Sequence, residues 1–348
     1  MPRSALTLPA TDPTAIFEHF RGSYGTELLV AAIAEFKLFD RIGQSLLERE
    51  TLRALLGLHE RPFVVLTTAL RAMGLLHVDS EGRFGLTALA EEHLRAEGAF
   101  FVGDYVGLAV QSSGVQEMIR RLKSNLPAGS EDKAGAAFIF KEGLESAMEQ
   151  EASARFLTLA LAGRAKNVAP YLAAKLDLTG VSKLLDVGGG TGIYSIALLQ
   201  KHATLQAVVY DRPEVLKVAA EMAHEYGVHD RLELMPGDMF TGQLPRDCQA
   251  VLLSNILHDW DVPENIALLK RCAEVLPVGG RLIIHDVFLH DALDGPLPIA
   301  LYSAALFTLT EGRAYSAAEY RSWLEQIGLA PQPIVSTLIH CGVLAGMK

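Results

Sequence analysis

Two side chains in the second half of the chain are of types that move protons. His258 stands in Ser254-Asn255-Ile256-Leu257-His258-Asp259-Trp260-Asp261, and Asp286 follows the apolar run that begins at Arg281. An imidazole works as a base near neutral pH when a carboxylate holds one ring nitrogen as N–H and leaves the other as acceptor. Upstream lies a second chemical feature, Leu184-Leu185-Asp186-Val187-Gly188-Gly189-Gly190-Thr191-Gly192-Ile193-Tyr194-Ser195. Glycines at 188, 190 and 192 remove side chains where a backbone turns sharply and a ligand must come close. Such a turn between a strand and a helix sets a ligand over the helix start.

The pattern around that turn selects the ligand. A dinucleotide fold uses Gly-x-Gly-x-x-Gly, and here the third glycine comes too early. Asp186 sits at the strand end just before the turn, where a carboxylate pointing at the site suits an ammonium better than a pyrophosphate. Asp211, followed by Arg212, closes the next strand 25 residues after Asp186 and can accept both hydroxyls of a ribose. Gly237-Asp238-Met239-Phe240 closes a third strand. Asp238 can accept from an adenine amino group, and Met239 can lie against the ring. S-adenosylmethionine (SAM) has an ammonium, a sulfonium, a ribose and an adenine, and no phosphate.

Methyl transfer from a sulfonium is an in-line displacement in which charge is neutralised. The protein must align the partners, exclude water and remove one proton. A phenol has a pKa of about 10 and an imidazole about 6.5, a mismatch of roughly 3.5 units or about 5 kcal/mol. His258 therefore removes a phenolic proton in concert with transfer, or from an acidified hydroxyl.

These residues need a scaffold. From Val181 short apolar runs alternate with amphipathic helices: Lys183–Val187, Gln206–Tyr210, Leu232–Met235, Ala250–Asn255 and Arg281–Val287, with helices at Pro213–Tyr226 and Pro263–Leu276. This alternation predicts a parallel sheet covered on both faces. Pro333–Ser336 and Gly342–Met347 predict an antiparallel edge. If the order reverses beside the first strand, the first and fourth strands are neighbours, and the glycine turn and His258 flank one crevice. Asp286, ending the fifth strand, then reaches the ring of His258.

The first half reads as helical. Apolar spacing predicts helices over Ile16–Phe20 and Leu28–Phe39, a short helix Thr51–Leu56 stopped by Gly57, and a helix Phe63–Met73 opened by Pro62 and stopped by Gly74. Leu75–Asp79 and Arg83–Leu86 predict a strand pair about Ser80-Glu81-Gly82. This is the pattern of a winged helix. Met1 to Arg95 holds 10 basic and 12 acidic residues, and its second helix carries one arginine, so dimerisation is the expected role rather than DNA binding. Residues 100–178 read as a helical connector, with a loop over Lys123–Ala137 and a connecting helix over Lys166–Leu178. The expected domains are 1–99, 100–178 and 179–348.

Composition bounds the rest. Of 348 residues half are hydrophobic and about a fifth charged, with net charge -10, which disfavours a phosphate backbone as partner. Cys248, Cys272 and Cys341 are scattered without metal spacing, so no metal is expected. The start lacks a signal-peptide pattern and no run reaches membrane-helix length, so the expected location is the cytoplasm.

The chain resembles the plant and bacterial small-molecule O-methyltransferases that join an N-terminal winged-helix dimerisation domain to a class I SAM-dependent domain, the caffeate, hydroxyindole and antibiotic-tailoring type. The resemblance spans about Ile16 to Met347 and is most specific at Leu185–Gly192, Gly237–Phe240 and Leu257–Trp260. It implies an α/β fold: a Rossmann-like, mostly parallel sheet with an antiparallel C-terminal edge, and a mainly helical N-terminal domain. It implies Gly188, Gly189 and Gly190 at the methionine part of SAM, Asp211 at the ribose, Asp238 and Met239 at the adenine, and Trp260 bordering the cofactor, with Asp186, Arg212, Gly237, Phe240 and Ser254 in the same site. It implies His258 as general base and Asp286 as its orienting acid.

Two departures stand out. Ser254 occupies a place where many relatives have lysine. In Thr310-Glu311-Gly312-Arg313-Ala314-Tyr315-Ser316, Ala314 stands at the position of a second assisting glutamate, so that either Glu311 substitutes from one turn away or the second assistant is absent. The expected activity is methyl transfer to a hydroxyl of an aromatic or polyketide-like small molecule in secondary metabolism, by a homodimer. Apolar helices Phe156–Ala162 and Ile299–Leu309 are expected on the substrate side, between the halves. Carbon methylation, a SAM-binding enzyme without O-methylation, and a SAM-responsive DNA-binding regulator are the alternatives.

Overall fold

The structure, a computed structural model, describes residues 2–126 and 151–348, with side chains of the latter from Arg155 onward. The described residues form two compact units. One comprises those of Glu18–Ala137 and Leu289–Ala314; the other comprises those of Met1–Phe17, Phe138–Phe288 and Tyr315–Lys348.

In the first unit, helices Arg49–Leu56 and Glu60–Ala72 precede an antiparallel pair, β1 (Leu76–Val78) and β2 (Phe84–Leu86). Leu47 bridges Phe84 and widens the wing. The second helix starts at Glu60, so Pro62 lies in its first turn, where a missing N–H costs nothing. Phe63, Val65, Leu66, Ala69 and Leu70 of that helix are buried in one apolar cluster. A helix with its side chains committed to a core has no face left to read a groove. Leu301, Ala304 and Phe307 of the helix Leu297–Leu309 join the same cluster.

One expected helix is broken. Leu28–Phe39 runs as an α-helix over Gly25–Val30, widens to a π-turn over Ala31–Glu35, and stops at Lys37, whose φ is +47°. A new helix, Leu38–Ile42, follows. The left-handed residue turns Leu38 and Phe39 into the core, where both are buried.

The second unit is built on a sheet of nine strands: β3 (Lys183–Val187), β4 (Gln206–Asp211), β5 (Leu232–Pro236), β6 (Ala250–Ser254), β7 (Arg281–Leu289), β8 (Tyr315–Ser316), β9 (Ala330–Pro331), β10 (Val335–Ser336) and β11 (Cys341–Met347). The order is β10-β11-β7-β6-β3-β4-β5, with β8 on β7 and β9 on β11. Strands β7, β6, β3, β4 and β5 are parallel, and β11 runs antiparallel to β7. Leu184, Leu185, Val187, Val208, Val251 and Leu252 are fully buried, as strands covered on both faces require. The expected α/β class, with a mostly parallel sheet and an antiparallel edge, is the one observed.

Three expected boundaries move. β7 runs on to Leu289, so Asp286 lies within the strand, opposite Gly342, rather than at its end. The helix expected over Lys166–Leu178 is the last part of Glu151–Lys175, which carries Pro170 inside it. Lys123 and Ser124, placed in a loop, close the helix Ser113–Ser124, capped by Asn125 at φ +58°. Residues 127–137 of that expected loop lie outside the described residues. Among the described residues, no helix is long and apolar enough to cross a membrane.

Candidate active site

The chain order reverses at β3, which has β4 on one side and β6 on the other. The glycine turn rises from β3 at this reversal and opens the helix Ile193–Lys201. Gly188 has φ +69°, and a Cβ there would stand 2.5 Å from Cδ1 of Ile256, the residue that follows the end of β6 by two. Gly189 lies over Asp186: its Cβ would be 2.7 Å from the Asp186 carboxyl carbon. The turn therefore needs glycine for backbone conformation at 188, 190 and 192, all at positive φ, and for space at 189.

Asp186 does not stand open to the crevice as its place at the strand end suggested. It is fully buried beneath the turn. Oδ2 accepts from Ser195 Oγ at 2.7 Å, and buried Oδ1 has no hydrogen-bond partner. Burial raises this carboxyl to about 7. Asp211, at the end of β4, accepts from the Gly190 N–H (2.8 Å) and the Arg212 N–H (2.7 Å), and burial raises its pKa as well. Asp238 is exposed, and its Oδ1 accepts from the N–H groups of Phe240 and Thr241, which fixes the Gly237–Phe240 loop. Phe240 meets Trp260 edge-on at 4.6 Å, and the buried Trp260 Nε1 has no hydrogen-bond partner.

His258 is carried on a 3-10 turn, Leu257–Asp259, just beyond β6. Its Nδ1 lies 2.6 Å from Asp286 Oδ1. The same oxygen accepts the Val287 N–H at 2.8 Å, and Asp286 Oδ2 accepts from Tyr320 OH at 3.3 Å. The network assigns the Nδ1–H tautomer, so Nε2 is the acceptor. Burial opposes charge on the ring, but the carboxylates of Asp286 and Asp259 outweigh it and raise its pKa. Asp286 itself is held low: burial raises it, and His258 beside it more than compensates.

Several residues of this arrangement were not singled out from sequence. Asp259 Oδ1 stands 3.7 Å from His258 Nε2, the ring nitrogen that Asp286 leaves over. Asn265 is fully buried and donates to the carbonyls of Leu257 and Trp260, clamping both ends of the His258 turn. Arg164, on the long helix, donates to Asn255 Oδ1 at 2.8 Å and to Cys341 Sγ at 2.7 Å, which brings a cation beside Ser254. The signal was present: Arg164 is the one charge in Phe156–Ala165, a stretch of small and apolar residues.

Glu311 belongs to the other unit. Its loop is tied there by Arg61, whose Nη1 donates to the carbonyls of Thr310 (2.9 Å) and Gly312 (3.3 Å), and by the Ala314 N–H bonded to Ser303 Oγ. Among the described residues, no three His, Cys, Asp or Glu side chains gather in a way that could hold a metal ion.

A parallel sheet with a glycine turn at its switch point, and a buried His–Asp pair between the turn after β6 and the strand β7, is the arrangement of an α/β nucleotide-binding fold. The family model for the O-methyltransferase domain matches residues 133–330, more than half the chain. A 3-hydroxy-5-methyl-1-naphthoate 3-O-methyltransferase of Streptomyces sahachiroi is 33% identical over 97% of this chain and 95% of its own. An L-tyrosine C(3)-methyltransferase of Streptomyces lavendulae is 31% identical over 86% of this chain and 82% of its own. A crystal structure of an O-methyltransferase family 2 protein from Planctomyces limnophilus, complexed with apigenin, superimposes with a TM-score of 0.89 at 45% identity, covering 100% and 99% of the two chains.

The chain belongs to the O-methyltransferase family. It is a transferase that uses S-adenosylmethionine. The residues present fit that cofactor. The Asp186 oxygen without a partner, the cradle that a Cβ at Gly188 or Gly189 would fill, and the paired amides on Asp211 are the features a cationic nucleoside requires.

Proposed function

We propose that this enzyme methylates a hydroxyl of an aromatic or polyketide-like small molecule, with His258 as general base. The observation that carries this is the 2.6 Å pair between His258, on the turn after β6, and Asp286 of β7, with β6 next to β3 and its glycine turn. The hydroxynaphthoate named for one relative and the apigenin bound in the solved complex support a flat phenolic acceptor.

SAM, when bound, supplies an electrophilic methyl on a sulfonium. Gly188, Gly189 and Gly190 admit its methionine part, with the negative potential of Asp186 beneath them. Arg164 holds its carboxylate, the task a lysine at Ser254 would otherwise serve. Asp211 with Arg212 holds the ribose; Gly237, Asp238 and Met239 hold the adenine; Phe240 and Trp260 wall the site and exclude water. His258 Nε2 takes the hydroxyl proton as the oxygen attacks, and Asp286 stabilises the imidazolium that forms. Two carboxylates beside the ring raise its basicity and narrow the mismatch with a phenol. Asp259 is a second acid beside the ring, and Glu311 is assigned an auxiliary role.

The test is turnover on a panel of hydroxylated naphthoates and flavones, read by product mass. His258→Ala should lose on the order of 100-fold to 10,000-fold in rate. Survival of turnover within a few-fold removes His258 as base. Unchanged turnover in Glu311→Gln would leave Asp259 as the sole second acid. The L-tyrosine C(3)-methyltransferase relative favours a second reading, methylation of a ring carbon activated by the same phenol deprotonation. Product analysis separates the two, since an O-methyl product carries no free hydroxyl at the modified position. We also propose the domains as 1–99 for dimerisation, 100–178 as connector and 179–348 for SAM binding, in a cytoplasmic homodimer of secondary metabolism. Exposed Phe20, Tyr105 and Leu108 of the first unit support a partner surface.

A further inference from the structure

β7 contains a histidine that the reaction does not use. His285 points to the opposite face of the sheet from Asp286 and is fully buried. Its Nδ1 is 2.8 Å from Ser254 Oγ and its Nε2 is 3.3 Å from Thr337 Oγ1. Its ring meets Tyr194 edge-on at 5.1 Å. Ser254 Oγ also accepts from Asn255 Nδ2 at 3.1 Å, and Asn255 Oδ1 accepts from Arg164. Asn255 sits at φ +58° with its N–H bonded to the His285 carbonyl at 2.8 Å, so its side chain is fixed from both ends.

The guanidinium sets the first two bonds of this chain, and Asn255 Nδ2 also donates to Tyr194 OH at 3.4 Å. A guanidinium only donates, so it fixes Asn255 Oδ1 as acceptor and Nδ2 as donor. Ser254 Oγ accepts that N–H, and its own hydrogen is assigned to His285 Nδ1, 2.8 Å away. His285 is then the Nε2–H tautomer and donates to Thr337. Burial and the Arg164 cation push the His285 pKa down to about 3, which agrees with a neutral ring.

We propose that His285 is a positioning residue that makes Ser254 a hydrogen-bond acceptor toward the amino group of the cofactor. This rests on the placement of SAM in the crevice between β3 and β6. Ser254 ends β6 at that crevice and is half-buried. An ammonium has donors only, so it is repelled by a hydroxyl hydrogen and attracted by the oxygen. By drawing the hydrogen sideways toward β7, His285 leaves the Ser254 oxygen as acceptor. Arg164 at the other end of the chain offers donors to the carboxylate. One polarised chain thus recognises both ends of an α-amino acid.

The test compares two probes by calorimetry on the full-length protein. S-adenosylhomocysteine keeps the amino acid; 5′-methylthioadenosine keeps the nucleoside and sulfur and lacks it. His285→Leu should weaken S-adenosylhomocysteine on the order of tenfold, the effect of a lost hydrogen bond to a charged group, and leave methylthioadenosine within about twofold. His285→Asn, whose Oδ1 replaces Nδ1, should restore most of the loss. Ser254→Ala, which opens no core position, should show the same selective loss. Equal weakening of both probes, wild-type affinity in His285→Leu or Ser254→Ala, or no rescue by asparagine overturns the proposal. Wild-type protein that fails to bind S-adenosylhomocysteine overturns the cofactor placement, and this proposal with it.

Discussion

The ring of His258 is the most heavily constrained group in the site. Asp286 takes Nδ1, Asp259 stands near Nε2, and Asn265 clamps the turn beneath. Its pKa is raised above 6.5, so the base is protonated and inactive at acid pH, and turnover should fall as pH drops through that raised value. Asp286→Asn removes the largest raising influence. Its acid limb should move to lower pH while the plateau rate falls on the order of 10-fold to 100-fold, as loss of an orienting partner does. A pH–rate profile of both proteins checks this; an unmoved acid limb would mean another group controls it. The same shift bears on stability. The charged His258 contributes stability that is fully present below about 6.5 and lost as pH rises through the raised folded value.

The elements that hold this ring were largely legible in the sequence. All five parallel strands start where apolar run lengths put them, and β3 and β6 are neighbours as the reversal rule required. Buried strands advertise themselves because both faces need apolar residues. The polar links were not legible. Arg164 meets Asn255 across 91 positions and Cys341 across 177, and no local pattern encodes such a partner. The break at Lys37 was missed for a related reason: a left-handed lysine has no sequence signature, and tertiary burial of Leu38 and Phe39 imposes it. The glycine turn gives a prediction at this scale. Gly188→Ala combines a strained φ of +69° with a contact 2.5 Å from Ile256. It should lower stability by about 1–3 kcal/mol and abolish measurable S-adenosylhomocysteine binding, followed by thermal melt and calorimetry. Gly188→Ala with Ile256→Val should recover part of the stability, since it relieves the contact but not the strain.

For the molecule as a whole, binding of the cofactor should appear as stabilisation. S-adenosylhomocysteine at 100 times its dissociation constant adds about 2.7 kcal/mol to the folded state that binds it, and NAD should add none. A thermal shift with NAD alone would contradict the assignment of the crevice. The net charge of -10 predicts the absence of salt-sensitive retention on DNA, readable by a mobility shift at low salt. A homodimer predicts a sedimenting mass near twice 37.7 kDa. Neither dimerisation nor the acceptor was decided by the sequence, because both depend on surfaces assembled from distant segments.

The carboxyl of Asp186, sealed under the glycine turn with one oxygen unpartnered and a pKa of about 7, makes the protein a proton acceptor or donor according to what lies above it. A cation settling over the turn favours the ionised form, so near neutrality cofactor binding should expel a fraction of a proton into the medium. The apparent heat of binding should then depend on the ionisation enthalpy of the buffer, and affinity should climb with pH until it levels off above about 7. In Asp186→Asn both dependences should vanish.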